Sequence, residues 1–327
     1  MEIYTSLEAI PRPFAGARSG ACVTIGNFDG VHLGHQWLFA EVASRAYRSG
    51  GLSVAITFDP HPLQVLRSGG IRLISSIDQK KELIALAGID VLVIIPFTPA
   101  FAATPAEVFV DEILLKIIGM NDLVVGYDYA FGKGRSGDAN FLKQQGAAKG
   151  FPVTVIEAHY EAGVLVSSSK IRELIAGGDV RAARALLGRS YQIRGRVQVG
   201  KQRGGKEVGF PTANLALSAD DLVPRRGVYV CQVICDGQCY GSVMNVGNNP
   251  TFGEDVLVAE THIFDFDRDI YDQSIKINML DFLRDEKKFS SVSELSAQIA
   301  RDVARAKSIL ADEERELALS CEDDFNR

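Results

Sequence analysis

Five short runs dominated by Val, Ile and Leu recur through the first half of the chain, separated by stretches of helical periodicity. The runs are "CVTIG" (22–26), "LSVAITF" (52–58), "DVLVIIPF" (90–97), "DLVVG" (122–126) and "FPVTVIE" (151–157). The helical stretches between them are 35–48, 78–87, 106–118 and 138–149. Strands that are apolar nearly throughout are buried on both faces, and strand–helix alternation builds a parallel sheet clothed by helices. The pattern predicts an α/β, Rossmann-like domain. Ligands of such sheets gather at the carboxyl ends of the strands.

Beyond residue 186 the texture changes. A helical pair at 170–188 is broken by Gly177-Gly178, with Asp179 placed as an N-cap. From "YQIRGRVQVG" to "IKINMLDFL" short alternating runs are punctuated by Gly, Asn, Asp and Pro. That punctuation predicts an antiparallel domain, a small β-barrel. A closing helix is expected at roughly 292–316, with Leu295, Ile299, Val303 and Ile309 or Leu310 at helical spacing. The last dozen residues, rich in Glu and Asp, read as a frayed end. At 327 residues the chain exceeds one ordinary core. Two domains are therefore expected, 1–186 and 187–327.

Charge narrows the partners. The net charge is −6, with acids and bases interspersed and no basic stripe, so nucleic acid is not an expected partner. The longest strongly apolar stretch, "VLVIIPF", is far too short to span a bilayer, so no membrane partner is expected. The start, "MEIYTSLEAIPRP", has an early acid and two prolines but no apolar signal core, so a cytoplasmic protein is expected. The five cysteines are odd in number and form no CxxC, which suits a reducing compartment. "VICDGQC" reads as a hairpin turning at Asp236-Gly237, a register that keeps Cys231, Cys235 and Cys239 from converging on a metal.

The stretch "GNFDGVHLGHQ" (26–36) follows the first strand run. A strand leading through a glycine-rich turn into a helix offers free backbone N–H groups and a positive dipole end to an anion. Gly26, Gly30 and Gly34 admit a bulky phosphate chain, and the imidazoles of His32 and His35 donate hydrogen bonds. Two histidines spaced i, i+3 fall short of a zinc set, which needs three protein ligands. Ligand counting favours phosphate over metal. The plain alternative is that the histidines only cap the helix.

The HxGH pattern resembles the nucleotidyltransferase superfamily, in which such histidines bind the phosphates of ATP. "FDPHP" (58–62), "VVGYDYAFGKGRSGD" (124–138) and "VSSSKIRELIAGGD" (166–179) resemble the remaining motifs of the FMN adenylyltransferase module of bacterial bifunctional riboflavin kinase/FAD synthetases. The motifs come in the family's order and span nearly the whole chain. One departs: Val166-Ser167-Ser168-Ser169 stands where the family commonly has Ile-Ser-Ser-Thr. The resemblance implies that His32, His35, Ser168, Ser169 and Arg172 hold the ATP triphosphate. It implies that Gly26, Asn27, Phe28, Asp29 and Gly30 belong to the ATP-binding loop, with Asn27 and Asp29 shaping it, that Asp128 contacts the nucleotide, and that Phe58, Pro60, His61 and Pro62 border the flavin. A bland reading keeps the serines as caps of a helix starting near Lys170, and "FDPHP" as a rigid turn. Adenylyl transfer suits this set, because the FMN phosphate is already an anionic nucleophile and the site has only to align reactants and neutralise charge.

In the second half, "GKQRGGKE" (200–207) fits the opening of a P-loop. Glu207 stands where Ser or Thr should, and Gly209 and Pro211 forbid the helix that should follow. The segment "GRVQVGKQRGGKEVGFPTANL" (195–215) instead resembles the ATP loop of riboflavin kinases, with Gly200, Lys206, Gly209, Pro211, Thr212 and Asn214 implied in ATP binding. Lys206 stands where the family usually has Arg, so a bidentate contact becomes a point charge. Glu260 occupies the position of that family's catalytic glutamate; a strand carboxylate is otherwise a solvated surface group. A base is needed there because a ribityl hydroxyl is a poor nucleophile. Thr212 and Asn214 would hold Mg²⁺, and Asn245 opens the family's "NVGNNPTFG" motif. "DFDRD" (265–269) is no calcium loop, since Ile270 replaces the required glycine.

The resemblance implies two reactions: riboflavin to FMN with ATP and Mg²⁺ in the second domain, and FMN to FAD with release of pyrophosphate in the first. Riboflavin, FMN and ATP are the expected partners, and assembly into homo-oligomers stays open. Competing readings are a monofunctional riboflavin kinase with an inert first domain and a non-catalytic flavin-binding regulator. The intact histidine and serine–arginine motifs weigh against the first, and Glu260 with Thr212 and Asn214 against the second.

Overall fold

The computed structural model describes residues 1–11, 20–199, 209–218, 220–248 and 257–325. The chain divides into two compact units, Met1–Lys170 and Ile171–Arg327. The packing thus changes before the texture of the sequence does. Helix α8 (Val180–Leu187) buries Val180, Ala183, Leu186 and Leu187 and packs against strands of the second unit.

The first unit is built on a six-stranded sheet. Its strands are β1 (Glu2–Tyr4), β2 (Ala21–Ile25), β3 (Leu52–Asp59), β4 (Val91–Pro96), β5 (Met120–Gly126) and β8 (Val153–Ile156), in the order β1-β4-β3-β2-β5-β8. Every pairing is parallel. Alternate residues go to opposite faces, as strand geometry requires. Val23, Ile25, Val54, Ile56, Val93, Ile95, Leu123 and Val125 share one core with Leu114 and Leu142. Cys22, Ala55, Leu92, Ile94 and Val124 share the other with Leu38, Phe39 and Val42 of α1 (Leu33–Ser49) and Ile84 of α3 (Ile77–Leu86). All five expected strands are present. Strand β1 is an addition; three residues carry too little pattern to stand out.

The chain builds outward from β2 through β3 and β4, then returns to β5 on the other side. The order therefore reverses between β2 and β5, and the crevice at their carboxyl ends is where such sheets bind ligands. "GNFDGVHLGH" leaves β2 at that point.

The second unit holds a closed antiparallel barrel. Its strands are β11 (Tyr191–Gln198), β12 (Ala213–Ala216), β13 (Gly227–Cys235), β14 (Gln238–Asn248), β15 (Leu257–Ile263) and β16 (Ser274–Arg284), in the order β11-β12-β15-β14-β13-β16. β13 and β14 form the expected hairpin, Cys235 pairing with Gln238 across Asp236 and Gly237, both at positive φ (50° and 76°). Cys231 then lies opposite Ser242 and Cys239 opposite Ile234, so the thiols do not converge.

Helix α9 (Val292–Phe325) covers the barrel with Ala306 and Leu310 buried and Val303 and Ile309 half-buried against Val228, Val230, Val243 and Leu280. It continues past 316 to Phe325, where a frayed end was expected. The stretch lacks Gly and Pro and is rich in Glu, Leu and Ala, which favour helix. Asp302 also faces the barrel. Its carboxylate accepts from Arg284 Nε at 3.1 and 3.0 Å, from Arg284 Nη2 at 2.7 Å and from Gln298 Nε2 at 2.8 Å. Removing one member of such a pair leaves an uncompensated charge. Asp302→Ala should therefore destabilise the second unit by about 3 kcal/mol, and Asp302→Asn by less, measured by urea unfolding followed by circular dichroism.

Candidate active sites

The loop from β2 to α1 is wound tightly. Phe28, Gly30 and Val31 all have positive φ, 48°, 80° and 39°. For Phe and a β-branched Val this is strained backbone, which persists only where its surroundings over-determine it. The surroundings do so here. Asp29 is buried, and its carboxylate accepts from Ile74 N at 3.1 Å and Ser75 N at 3.1 Å. Gly30 N donates to Ser75 Oγ at 3.0 Å. The Asn27 carbonyl accepts from Thr57 Oγ1 at 3.1 Å and Lys80 Nζ at 2.8 Å. Gly30 is required by the loop itself, since a Cβ there would meet Ile74 Cγ2 at 2.9 Å. Gly26 is required likewise, a Cβ meeting the Phe28 ring at 2.6 Å.

The loop delivers His32 as the N-cap of α1, its Nδ1 accepting from His35 N at 3.4 Å. A neutral imidazole that accepts at Nδ1 carries its proton on Nε2, so His32 both caps the helix and keeps a donor. The two histidine rings stack 3.6 Å apart, and Phe28 packs edge-on to His35 at 5.2 Å. Asp128 lies in the turn after β5, exposed, at the same edge of the sheet.

The serine segment reaches this loop across 139 residues. Ser168 Oγ donates to the Asp29 carbonyl at 2.9 Å. Helix α7 (Ser168–Gly177) begins two residues before the expected Lys170, and Ser167 holds its first turn by accepting from Lys170 N at 3.2 Å. The Ser168 proton is thus given to the loop, while Ser169 is exposed. Arg172 lies one turn further along α7, within the second unit as the packing divides the chain.

"FDPHP" ends β3 and opens α2 (Pro62–Leu66). His61 is buried as the N-cap, accepting at Nδ1 from Leu63 N at 3.1 Å, and Pro62 takes the first helical position. Phe58 begins a run of ring contacts through Phe97, Phe101, Phe109 and Phe131 to Tyr129, each pair 5.3 to 6.2 Å apart. Pro60 follows Asp59 through a cis peptide bond and is exposed.

In the barrel, register does the positioning. Glu260 on β15 pairs with Asn214 on β12 and with Asn245 on β14. Directly paired residues point to one face, so the three stand in a row across the strands. Asn214 is buried and its Nδ2 donates to the Thr212 carbonyl at 3.4 Å. His262, two residues on from Glu260, bonds through Nδ1 to the Pro211 carbonyl at 2.9 Å and packs edge-on to Phe210 at 5.1 Å. These contacts lay the segment ending in Thr212 along β15. Gly209 has φ 83°. Gly200 and Lys206 lie outside the described residues.

Several of these residues escaped the motif reading: Thr57, Ser75, Lys80 and His262. Two left a trace. His262 shares Glu260's face by strand period, and Lys80 sits in the apolar stripe Ile77–Lys80–Ile84 of α3, where a cation is out of place. Burial pulls the Lys80 ammonium below its usual pKa, opposed by the charges of Asp29 and Asp59. Among the described residues no group of three His, Cys, Asp or Glu side chains comes together to hold a metal ion.

Comparison with known proteins matches both halves of the chain. The FAD synthetase family model matches residues 15–170 and the riboflavin kinase family model residues 187–310. The fold and its two sites thus define a chain that couples an FAD-synthetase module to a riboflavin-kinase module. A Listeria monocytogenes protein described as a bifunctional riboflavin kinase/FMN adenylyltransferase is 34% identical over 292 residues, covering 88% of this chain and 92% of the relative. A Pseudomonas fluorescens protein of the same description is 36% identical over 293 residues, covering 89% and 94%. The chain belongs to the bifunctional riboflavin kinase/FMN adenylyltransferase family. A crystal structure of a Streptococcus pneumoniae protein described as a macrolide-efflux protein shares the architecture, with TM-score 0.83, 31% identity and coverage of 93% and 98%. Among the described residues of this chain no helix is long and apolar enough to cross a membrane.

Asp29 offers a test of the loop. Asp29→Ala would strand the buried N–H groups of Ile74 and Ser75, each costing about 1–3 kcal/mol. The single tryptophan, Trp37, lies on α1. Its fluorescence in urea should show a large drop in the stability of the first unit, with the barrel's transition by circular dichroism unmoved.

Proposed function

We propose that this chain phosphorylates riboflavin to FMN with ATP in its barrel and adenylylates FMN to FAD in its α/β unit, releasing pyrophosphate. The adenylyltransferase falls within 1–186 and the kinase within 187–327. One observation carries the first assignment: the HxGH loop and the serine segment, far apart in sequence, are joined by the Ser168–Asp29 bond at the crevice where the strand order reverses.

In adenylyl transfer an FMN phosphate oxygen attacks the α-phosphorus of ATP, and the bond to the pyrophosphate oxygen breaks. No proton needs removing from the nucleophile. His32 through Nε2, His35, Ser169, Arg172 and the first-turn amides of α1 stabilise the charge that gathers on pyrophosphate, with Ser168 holding the loop in place. Asp128 contacts the nucleotide. The isoalloxazine rests on the side opened by Phe58, Pro60 and Pro62, where the aromatic run offers stacking surface and buried His61 sets the turn.

In the kinase, Glu260 accepts the proton of the ribityl hydroxyl as its oxygen attacks the γ-phosphorus and ADP leaves. Thr212 and Asn214 would hold Mg²⁺. Their hydroxyl and amide oxygens are the hard donors that ion takes, and the bond from Asn214 Nδ2 to the Thr212 carbonyl leaves the amide oxygen for a cation. Bound there, Mg²⁺ supplies positive charge against the phosphate oxygens. Asn245, beside Glu260, orients the phosphate chain, with Gly200, Lys206, Gly209 and Pro211 contributing the ATP loop. The protein works in the cytoplasm, where ATP is supplied.

Chromatography of riboflavin incubated with Mg-ATP tests both halves. Wild type should form FMN and then FAD. His32→Ala and His35→Ala should accumulate FMN. Glu260→Gln should slow FMN formation by about 10²–10⁴-fold while still converting supplied FMN to FAD. Histidine variants that make FAD at the normal rate would remove those residues from the adenylyl site, and a Glu260→Gln protein with normal FMN formation would remove the base.

A further inference from the structure

Lys80 is buried in the first unit at 5% exposure, and the chemistry above gives it no role. Lysine is almost never fully buried unless paired, and hiding an ammonium is unfavourable unless polar groups surround it. Here they do. Nζ donates to the Asn27 carbonyl at 2.8 Å, and Asp29 and Asp59 supply negative charge nearby. A leucine or methionine at this place in the Ile77–Ile84 stripe would serve the core as well. The cation is retained at a cost to folding, so its benefit is to be sought in what it touches.

It touches the strained loop. The brace behind that loop comes from one short stretch of chain. Ile74 and Ser75 hold the Asp29 end, and Lys80, one turn into α3, holds the Asn27 end. The stretch between is itself fixed by the capping box of α3, in which Ser76 Oγ accepts from Gln79 N at 3.3 Å and Gln79 Oε1 accepts from Ser76 N at 2.8 Å. Asn27 lies five residues before His32, on the far side of every positive-φ residue in the loop. A slip of its carbonyl would pass through those residues to the α1 N-terminus.

We infer that Lys80 is a positioning residue for adenylyl transfer: it anchors the Asn27 carbonyl so that the loop presents His32 and the α1 amides to the triphosphate. The inference rests on the adenylyltransferase reading. It concerns geometry, since Lys80 touches no reacting atom.

Full-length Lys80→Met, Lys80→Arg and Thr57→Val proteins test it. FAD formation from FMN, FMN formation from riboflavin and ATP titration followed by Trp37 emission are measured on the same preparations. Lys80→Met should lower kcat for FAD formation by about 100-fold, the usual effect of an ångström-scale misplacement, and raise KM for ATP. Kinase turnover should stay at the wild-type value. Lys80→Arg, which restores a cation, should regain part of kcat. Thr57→Val, which removes the second donor to the same carbonyl, should raise KM for ATP with a smaller loss in kcat. Wild-type kcat and KM in Lys80→Met would overturn the inference. So would loss of kcat in Lys80→Met with no recovery in Lys80→Arg, since any core disruption would then suffice. If Lys80→Met is unfolded by Trp37 fluorescence, Thr57→Val decides, and wild-type parameters there overturn the inference. A wild-type protein that makes FMN but no FAD would sink the adenylyltransferase reading itself. The effect of Lys80→Met on ATP titration would then still report whether the brace shapes the phosphate loop.

Discussion

The buried carboxylate of Asp29 sits at the centre of the first site's architecture. It takes three N–H and O–H donors from residues 74 and 75, while its own carbonyl takes the Ser168 hydroxyl. Without these bonds there is no reason for Phe28 and Val31 to stay at positive φ. The conformation they adopt sets His32 as the cap of α1, whose N-terminal dipole end lies at the carboxyl end of β2. A buried charge that is fully hydrogen-bonded is what makes strained backbone affordable at a site that must be ready before substrate arrives.

The two units solve the problem of placing polar groups in different ways. The α/β unit uses a loop, and a loop needs bracing from outside: Thr57 on β3, Ser75 just before α3, Lys80 on α3 and Ser168 at the start of α7 all reach it. The barrel uses strand register. Asn214, Glu260 and Asn245 stand in a row because β12, β15 and β14 are hydrogen-bonded at those residues. The chemistry follows the same division. In the proposed reading an ionised phosphate nucleophile needs alignment and charge neutralisation, which a cradle of amides and imidazoles would provide. A hydroxyl nucleophile needs a base at one position, which a strand holds well.

Much of this was legible in the residues. Apolar runs with helical stretches between them fold as a parallel sheet because burial on both faces leaves no other arrangement, and Val23, Val54 and Leu123 do pack on one side while Cys22, Ala55 and Val124 pack on the other. Asp236-Gly237 turned the hairpin because both residues tolerate positive φ. The braces were scarcely legible. Lys80 leaves only its place in the apolar stripe of α3 as a trace, and the packing of α3 on the sheet decides what it reaches. Ser167, Ser168 and Ser169 read alike as hydroxyl donors, yet one caps α7, one holds the loop and one is exposed. Which does which depends on where the helix begins, a matter of a residue or two that local pattern does not resolve. His61 read as a flavin neighbour and is buried as a helix cap, because the proline after it favours a helix start there.

By itself the sequence determined the two-domain plan, the sheet and barrel types, and the motifs that place the chain in its family, since each depends on periodicity, turn chemistry or residues adjacent in the chain. The tertiary structure decided which side chains of those motifs hold the loop and which stay exposed. Those roles are set by bonds across 45 and 139 residues of chain, from Gly30 to Ser75 and from Asp29 to Ser168, and spacing along the chain carries no record of contacts made by folding.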